Sequence, residues 1–153
     1  MILEDVGKKL NQSQIQVFEA KNNVVFPEDY RRFLLNNNGG MPQELVQFTF
    51  QFRDKNGKQV LQGSVVHYFY DLNELEEVYE NLTNEKLIYP IMIPIACDSF
   101  GNQILLLSET SELGKGVYFA NHESLTTTEF PNWMVYKVSD SFSEFIDLLK
   151  PLL

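Results

Sequence analysis

The sequence predicts a single α+β domain over residues 1–153, with a largely antiparallel sheet, helices at both termini and helices packed on the sheet. Three observations predict it. Val46, Phe48, Phe50 and Phe52 alternate with polar residues, the period of a strand with one wet face. Two stretches, Asp54–Lys58 and Asp98–Asn102, carry the turn residues of hairpins between apolar runs. Two Asp/Ser-x-x-Glu segments, Asp71–Glu74 and Ser141–Glu144, stand just ahead of stripes at helical spacing. A 44% hydrophobic fraction with 12 Phe and 7 Tyr in 153 residues supplies an aromatic-rich core.

Residues 1–23 read as a helix or two short helical pieces. Ile2, Leu3, Val6 and Leu10 fall near helical spacing, with Gly7 weakening the first piece. Ser13 is positioned to cap the second, turning Ile15, Val17 and Phe18 inward. The best-signalled helix follows. Pro27 suits its first position, Glu28 and Asp29 place negative charge against the positive dipole end, and Glu28 reaches Arg31 or Arg32. Tyr30, Phe33 and Leu34 share a face that Leu35 widens, and the Asn36–Asn38 run with Gly39-Gly40 supplies a left-handed stop.

The alternating strand from Val46 leads to Asn56-Gly57, two residues able to take positive φ. The return strand runs from Val60 toward Tyr70, with a bend or bulge at Gly63-Ser64. Asp71 then caps a helix whose stripe is Leu75, Val78, Tyr79 and Leu82. Ile91–Cys97 is nearly continuous apolar, so it is read as buried on both faces, with Pro94 implying a bulge. Asp98–Asn102 turns the chain into Gln103–Ser108. Val117–Ala120 and Trp133–Val138 are further strands, and Phe142, Phe145, Ile146 and Leu149 form the stripe of a last helix ended by Pro151.

Charge narrows the function classes. The net charge is −9, and residues 71–153 hold 4 basic against 14 acidic side chains, or −10, while residues 1–70 sum to +1. Such a body is repelled by nucleic-acid phosphates and anionic lipid and attracts a basic partner. Solubility alone is the plainer reading of the same excess. No apolar run approaches the roughly 18 residues of a membrane span, and one cysteine excludes an internal disulfide framework, so a soluble cytoplasmic protein is expected.

The helix after Asp71 concentrates the acidity. Glu74, Glu76, Glu77 and Glu80 lie outside its apolar stripe, and no basic residue occurs between Asp71 and Glu85. A solvated face is the ordinary explanation, and a surface for a basic partner is the sharper one. Catalytic chemistry finds no constellation. His67, Cys97 and His122 have no short ligand spacing, so neither a metal nor a cofactor is expected. Cys97 ends an apolar run and reads as an inert buried thiol. Asp98 is the best single acid, but its plain role is an Asx-type bond within its own turn. No glycine-rich strand–loop–helix phosphate cradle is present, since Gly39-Gly40 follows a helix.

Four motifs in order resemble the SUKH superfamily: Phe26-Pro27-Glu28-Asp29-Tyr30 with Phe33 and Asn38-Gly39-Gly40; the hairpin from Ile93-Pro94-Ile95-Ala96 through Asp98 and Gly101; Gly116-Val117-Tyr118-Phe119; and Ser141-Phe142-Ser143-Glu144-Phe145. The resemblance implies an α+β fold without catalysis, with Pro27, Tyr30, Phe33, Gly39, Gly40, Pro94, Asp98, Gly101 and Phe142 in structural roles. It implies, for bacterial members, a cytosolic immunity protein that binds and neutralises a secreted toxin, many such toxins being nucleases. Other members are regulatory interaction proteins. Three classes are therefore carried: an immunity protein engaging a basic toxin domain through Glu74, Glu76, Glu77 and Glu80; a regulatory adaptor without a toxin partner; and, least supported, a small-ligand-binding domain at Asp98.

Overall fold

The computed structural model describes residues 1–125 and 133–152. In chain order the elements are β1 (Leu3–Glu4), α1 (Gln12–Asn22), α2 (Glu28–Asn36), β2 (Met41–Pro42), β3 (Val46–Arg53), β4 (Gln59–Val66), β5 (Tyr68–Phe69), α3 (Leu72–Asn84), β6 (Met92–Cys97), β7 (Gln103–Leu107), β8 (Val117–Leu125), β9 (Trp133–Ser139), α4 (Phe142–Leu148) and β10 (Lys150–Pro151). They form three sheets, ordered β1-β2, β10-β3-β4 and β5-β6-β7-β8-β9, and every pairing is antiparallel. The chain is an α+β protein.

The main core lies between one face of the five-stranded sheet and a layer made of α1, α2, α3, α4 and β3. Ile93, Ile95, Ile104, Leu106 and Phe119 face it from the sheet, and Phe48 and Phe50 from β3. Phe50 stacks on Phe119 at 4.7 Å between ring centroids, and Phe48 meets Phe145 of α4 edge-on at 5.4 Å. The opposite face of the same sheet buries Met92, Leu105, Leu107 and Ala120 under Ile88 and its neighbours just after α3. Alternate residues of β6 and β7 thus enter two different cores, which is why both strands read as unbroken apolar runs.

Several local readings are corrected. Residues before Asn11 are not helical: Leu3–Glu4 pairs with Met41–Pro42, and the apolar spacing of Ile2, Leu3 and Val6 serves no helix face. The cap of α1 is Asn11 rather than Ser13, with a reciprocal box to Gln14, and Val17 is 67% exposed while Ile15 and Phe18 are buried. Pro27 is the N-cap of α2, one position earlier than expected, and its carbonyl accepts from Arg31 N–H at 3.0 Å. The helix stops at Asn37 in an extended conformation, and the left-handed turn comes two residues later at Gly39 (φ 75°).

In the β3–β4 hairpin only Gly57 takes positive φ (77°). Gly57 N–H donates to the Asp54 carbonyl at 3.0 Å and Asp54 N–H to that of Lys58 at 2.9 Å, a three-residue loop with a left-handed last residue. The register of β3 on β4 is unbroken through Gly63-Ser64, so the expected bulge is absent there. The chain instead leaves the small sheet at His67 and pairs with β6 as β5. Pro94 does sit beside a register shift, between Pro94 and Ala96. Ser141 caps α4 through Glu144 N–H, but Glu144 reaches back to Asp140 N–H at 3.3 Å, so the second box is only half formed. Beyond α4, Lys150–Pro151 forms an edge strand on β3.

Candidate interaction surface

α3 is held by its own cap and by α1. Asp71 Oδ1 accepts from Glu74 N–H at 2.8 Å, and Glu74 Oε1 accepts from Asp71 N–H at 3.1 Å. The stripe Leu75 and Tyr79 is buried, and Tyr79 Oη–H donates to the Pro90 carbonyl at 2.7 Å, tying the helix to the segment that enters β6. These contacts fix the direction in which each glutamate points.

The four glutamates do not form one patch. At 100° per residue, Glu76 and Glu80 lie on the flank toward α1, and Glu74 lies about 160° around the helix from Glu76. Lys21 of α1 binds both flank residues, with Nζ 3.1 Å from Glu80 Oε1 and 3.9 Å from Glu76 Oε1. The hydrogen bond to Glu80, with the charge of Glu76 behind it, raises the ammonium pKa above its ordinary value. Glu74 is committed to the cap, and its charge is felt by Tyr68 of β5. Glu77 is exposed and has no ion pair among the described residues.

Asp98 is fully used within the fold. Its Oδ1 accepts from Phe100 N–H and Asn102 N–H, both at 2.9 Å, and its Oδ2 accepts from Asn102 Nδ2–H and Ser64 Oγ–H, both at 2.8 Å. Four donors on a carboxyl 4% exposed make it the clamp of the β6–β7 turn onto β4. Gly101 (φ 87°) closes that turn beneath the His122 ring. Burial pushes the Cys97 thiol pKa up, against hydrogen bonds involving Tyr70 and Tyr68 that lower it, the opposite of an activated nucleophile. Among the described residues no group of three His, Cys, Asp or Glu side chains is placed to hold a metal ion, and no helix is long and apolar enough to cross a membrane.

Two residues brace the elements around this surface: Asn38, which the sequence shows only as part of the stop after α2, and Glu19, which sequence reasoning passed over. Asn38, 7% exposed, donates from Nδ2 to the Lys8 carbonyl and accepts at Oδ1 from Leu72 N–H, the first amide of α3. It joins the N-terminal segment, the end of α2 and the start of α3. Gly39 beside it could carry no side chain, because a Cβ would lie 2.5 Å from Asp71 N and 2.7 Å from the Phe69 carbonyl. Glu19, 8% exposed, accepts from Phe26 N–H at 2.7 Å and from Arg31 Nη2–H at 2.6 Å, a nearly dry ion pair locking α1 to α2. The contacts of Asn38 and Glu19 carry no one-dimensional signal, since their partners lie outside the local motif.

The geometry defines a class first: an antiparallel α+β domain in which Asp71 and Glu74 form a cap, Asp98 a clamp, and Glu19, Glu76 and Glu80 interhelical pairs, with Glu77 exposed on α3. The family model described as SMI1 / KNR4 family (SUKH-1) matches residues 9–148, and the chain belongs to that family. The family includes immunity proteins and SMI1/KNR4-like regulators, which are generally non-catalytic. Neither a comparison with curated proteins nor one with solved structures finds a match.

Proposed function

We propose that the protein is an immunity protein that neutralises a cognate toxin by stoichiometric binding, engaging basic toxin residues through the acidic outer surface of α3. The observation that carries this reading is the −10 balance of residues 71–153, set in a family that includes immunity proteins. A nuclease toxin presents a basic phosphate-binding cleft, and complementary charge speeds association and masks that cleft. Within the four glutamates, Glu77 carries the contact most directly because it is exposed and unpaired among the described residues. Glu76 and Glu80 take part by exchanging Lys21 for a toxin cation.

The test looks first for a toxin gene beside this one and then uses the toxin domain it encodes. Glu77→Lys should weaken binding about tenfold, or about 1.4 kcal/mol, at low salt, with the loss shrinking as salt rises. Glu76→Gln with Glu80→Gln should weaken it less, since Lys21 already neutralises part of that flank. Isothermal titration calorimetry at two salt concentrations reads both. Unchanged affinity for Glu77→Lys at low salt would remove α3 from the interface. A genomic neighbourhood without a toxin gene would instead favour the regulatory branch of the family.

A further inference from the structure

Strand β4 has an open edge. Three hydrogen bonds establish which of its groups face outward. Asp54 N–H donates to the Lys58 carbonyl, making that pair a bonded one, so the alternation of an antiparallel ladder directs Val60, Gln62, Ser64 and Val66 to β3. On the far side of β3, Leu152 N–H donates to the Leu45 carbonyl, an odd-numbered position, as the same alternation requires. At the end of β4, His67 N–H turns away from β3 to the Cys97 carbonyl at 2.8 Å. The backbone groups of Gln59, Leu61 and Gly63 therefore point outward, and among the described residues no strand pairs with them.

The other edges of the two larger sheets carry protection. β10 is two residues with Pro151 in it, β5 is two residues bridged to Gly40, and β9 carries Lys137 and two register shifts against β8. β4 is eight residues long, Gln59–Val66, with no charge, no proline and no bulge. Leu61 is 64% exposed, and Gly63 leaves the ladder unshielded. From Ser64 onward the clamp to Asp98 brings the β6–β7 turn against the strand. Between that turn and the strand lies a cleft of about 390 Å³, with Gln62, Asn121 and Phe119 in its lining and Phe100, 76% exposed, at its rim.

We infer that the free edge Gln59–Gly63, with this cleft, receives an extended segment of a partner protein as an added antiparallel strand. Its alternate residues are apolar, against Leu61, and it lacks acidic side chains. A second copy of this chain is disfavoured as occupant. The free edge is a strip roughly 17 Å by 10 Å, about 350 Å² counted on both copies, well short of the roughly 1,200 Å² a specific dimer interface buries, and each copy would bring a charge of −9. A short segment of a larger partner needs no such area, because its remaining contacts lie elsewhere. The −9 charge selects against an acidic segment. This inference stands on the edge alone and does not depend on the acidic surface of α3.

The probe is a displayed library of linear random peptides, selected on the full-length protein at physiological salt. Enriched sequences should alternate apolar residues and lack Asp and Glu. Synthetic copies carrying single backbone N-methyl groups should lose at least about tenfold in affinity at alternate positions and little between them, the signature of ladder pairing. Leu61→Pro, which removes an outward N–H, and Leu61→Lys should each weaken binding about tenfold, with far-ultraviolet dichroism and melting temperature confirming that the variants fold. Glu112→Gln, at an exposed acid outside β4 and α3, should leave peptide binding unchanged. No enriched peptide, uniform tolerance of N-methylation, full affinity in both Leu61 variants, or a sedimenting dimer that Leu61→Pro abolishes would each overturn the inference.

Discussion

Tyr30 shows how a family motif can be structural in every part but one atom. Its ring is fully buried, edge-on to Phe26 at 5.2 Å and to Phe142 at 5.0 Å, and it stacks with Phe33 at 6.0 Å. That makes the aromatic face of α2 the joint between helices from both ends of the chain. The hydroxyl, however, is buried without a hydrogen-bond partner among the described residues. An unsatisfied buried hydroxyl costs about 1–3 kcal/mol. Tyr30→Phe keeps the ring and removes that cost, so it should raise the unfolding free energy by about 1 kcal/mol in urea titration. A loss of similar size would mean that the hydroxyl is satisfied. Gly39 is the contrasting residue: its φ of 75° and the 2.5 Å approach of a would-be Cβ to Asp71 N leave only glycine, so Gly39→Ala should cost several kcal/mol, read by the same titration.

Among the elements, α1 and α2 depend on one dry ion pair. Glu19 and Arg31 side chains are 10% and 13% exposed, and the same carboxylate oxygen also holds Phe26 N–H. Removing one partner strands the other in a low-dielectric site, which costs about 3–5 kcal/mol, whereas removing both costs much less. Glu19→Ala should therefore lower stability by about that amount, and Glu19→Ala with Arg31→Met should recover part of it. A loss in the double variant equal to the sum of the losses in Glu19→Ala and Arg31→Met alone would show that the pair is not coupled. The Glu28–Arg31 pair foreseen from i,i+3 spacing does form, at 3.6 Å, but Glu28 is 72% exposed, so it contributes little. Local chemistry was the legible part of the sequence: the Asp71–Glu74 box, the β3 alternation and the Pro94 irregularity all depend on neighbours within a few residues. Long-range chemistry was not. Ile2, Leu3 and Val6 imitate a helix because helical spacing cannot register that Leu3 has a strand partner at Pro42. The four glutamates are visible as a run, but the pairing of two of them with Lys21 requires α1 to lie beside α3, and the open edge of β4 exists only once the sheet order is known.

At the scale of the whole molecule, the dense aromatic core makes the protein a reservoir of neutral phenols. Burial raises the pKa values of Tyr30, Tyr70 and Tyr79 above the ordinary tyrosine range and does the same to the Cys97 thiol. Tyr70 also donates a 2.7 Å hydrogen bond from its hydroxyl to Gln103 Oε1. The sign of the linkage follows from these directions. An unfolded cysteine releases its proton near pH 8.5 and unfolded tyrosines near pH 10, while the folded groups hold theirs to higher pH. The stability from keeping them neutral is complete below about pH 8.5 and is lost as pH rises, at about 1.4 kcal/mol per pH unit for each group that only the unfolded chain has deprotonated. The growing negative charge of a −9 molecule acts in the same direction, so wild-type unfolding alone does not separate the two causes. Comparing urea midpoints at about pH 7.5 and about pH 10.5 in wild type, Tyr30→Phe and Cys97→Ala does separate them. Each substitution removes one buried acid and should flatten the alkaline fall by about one group's share, whereas global repulsion would leave all three slopes nearly parallel.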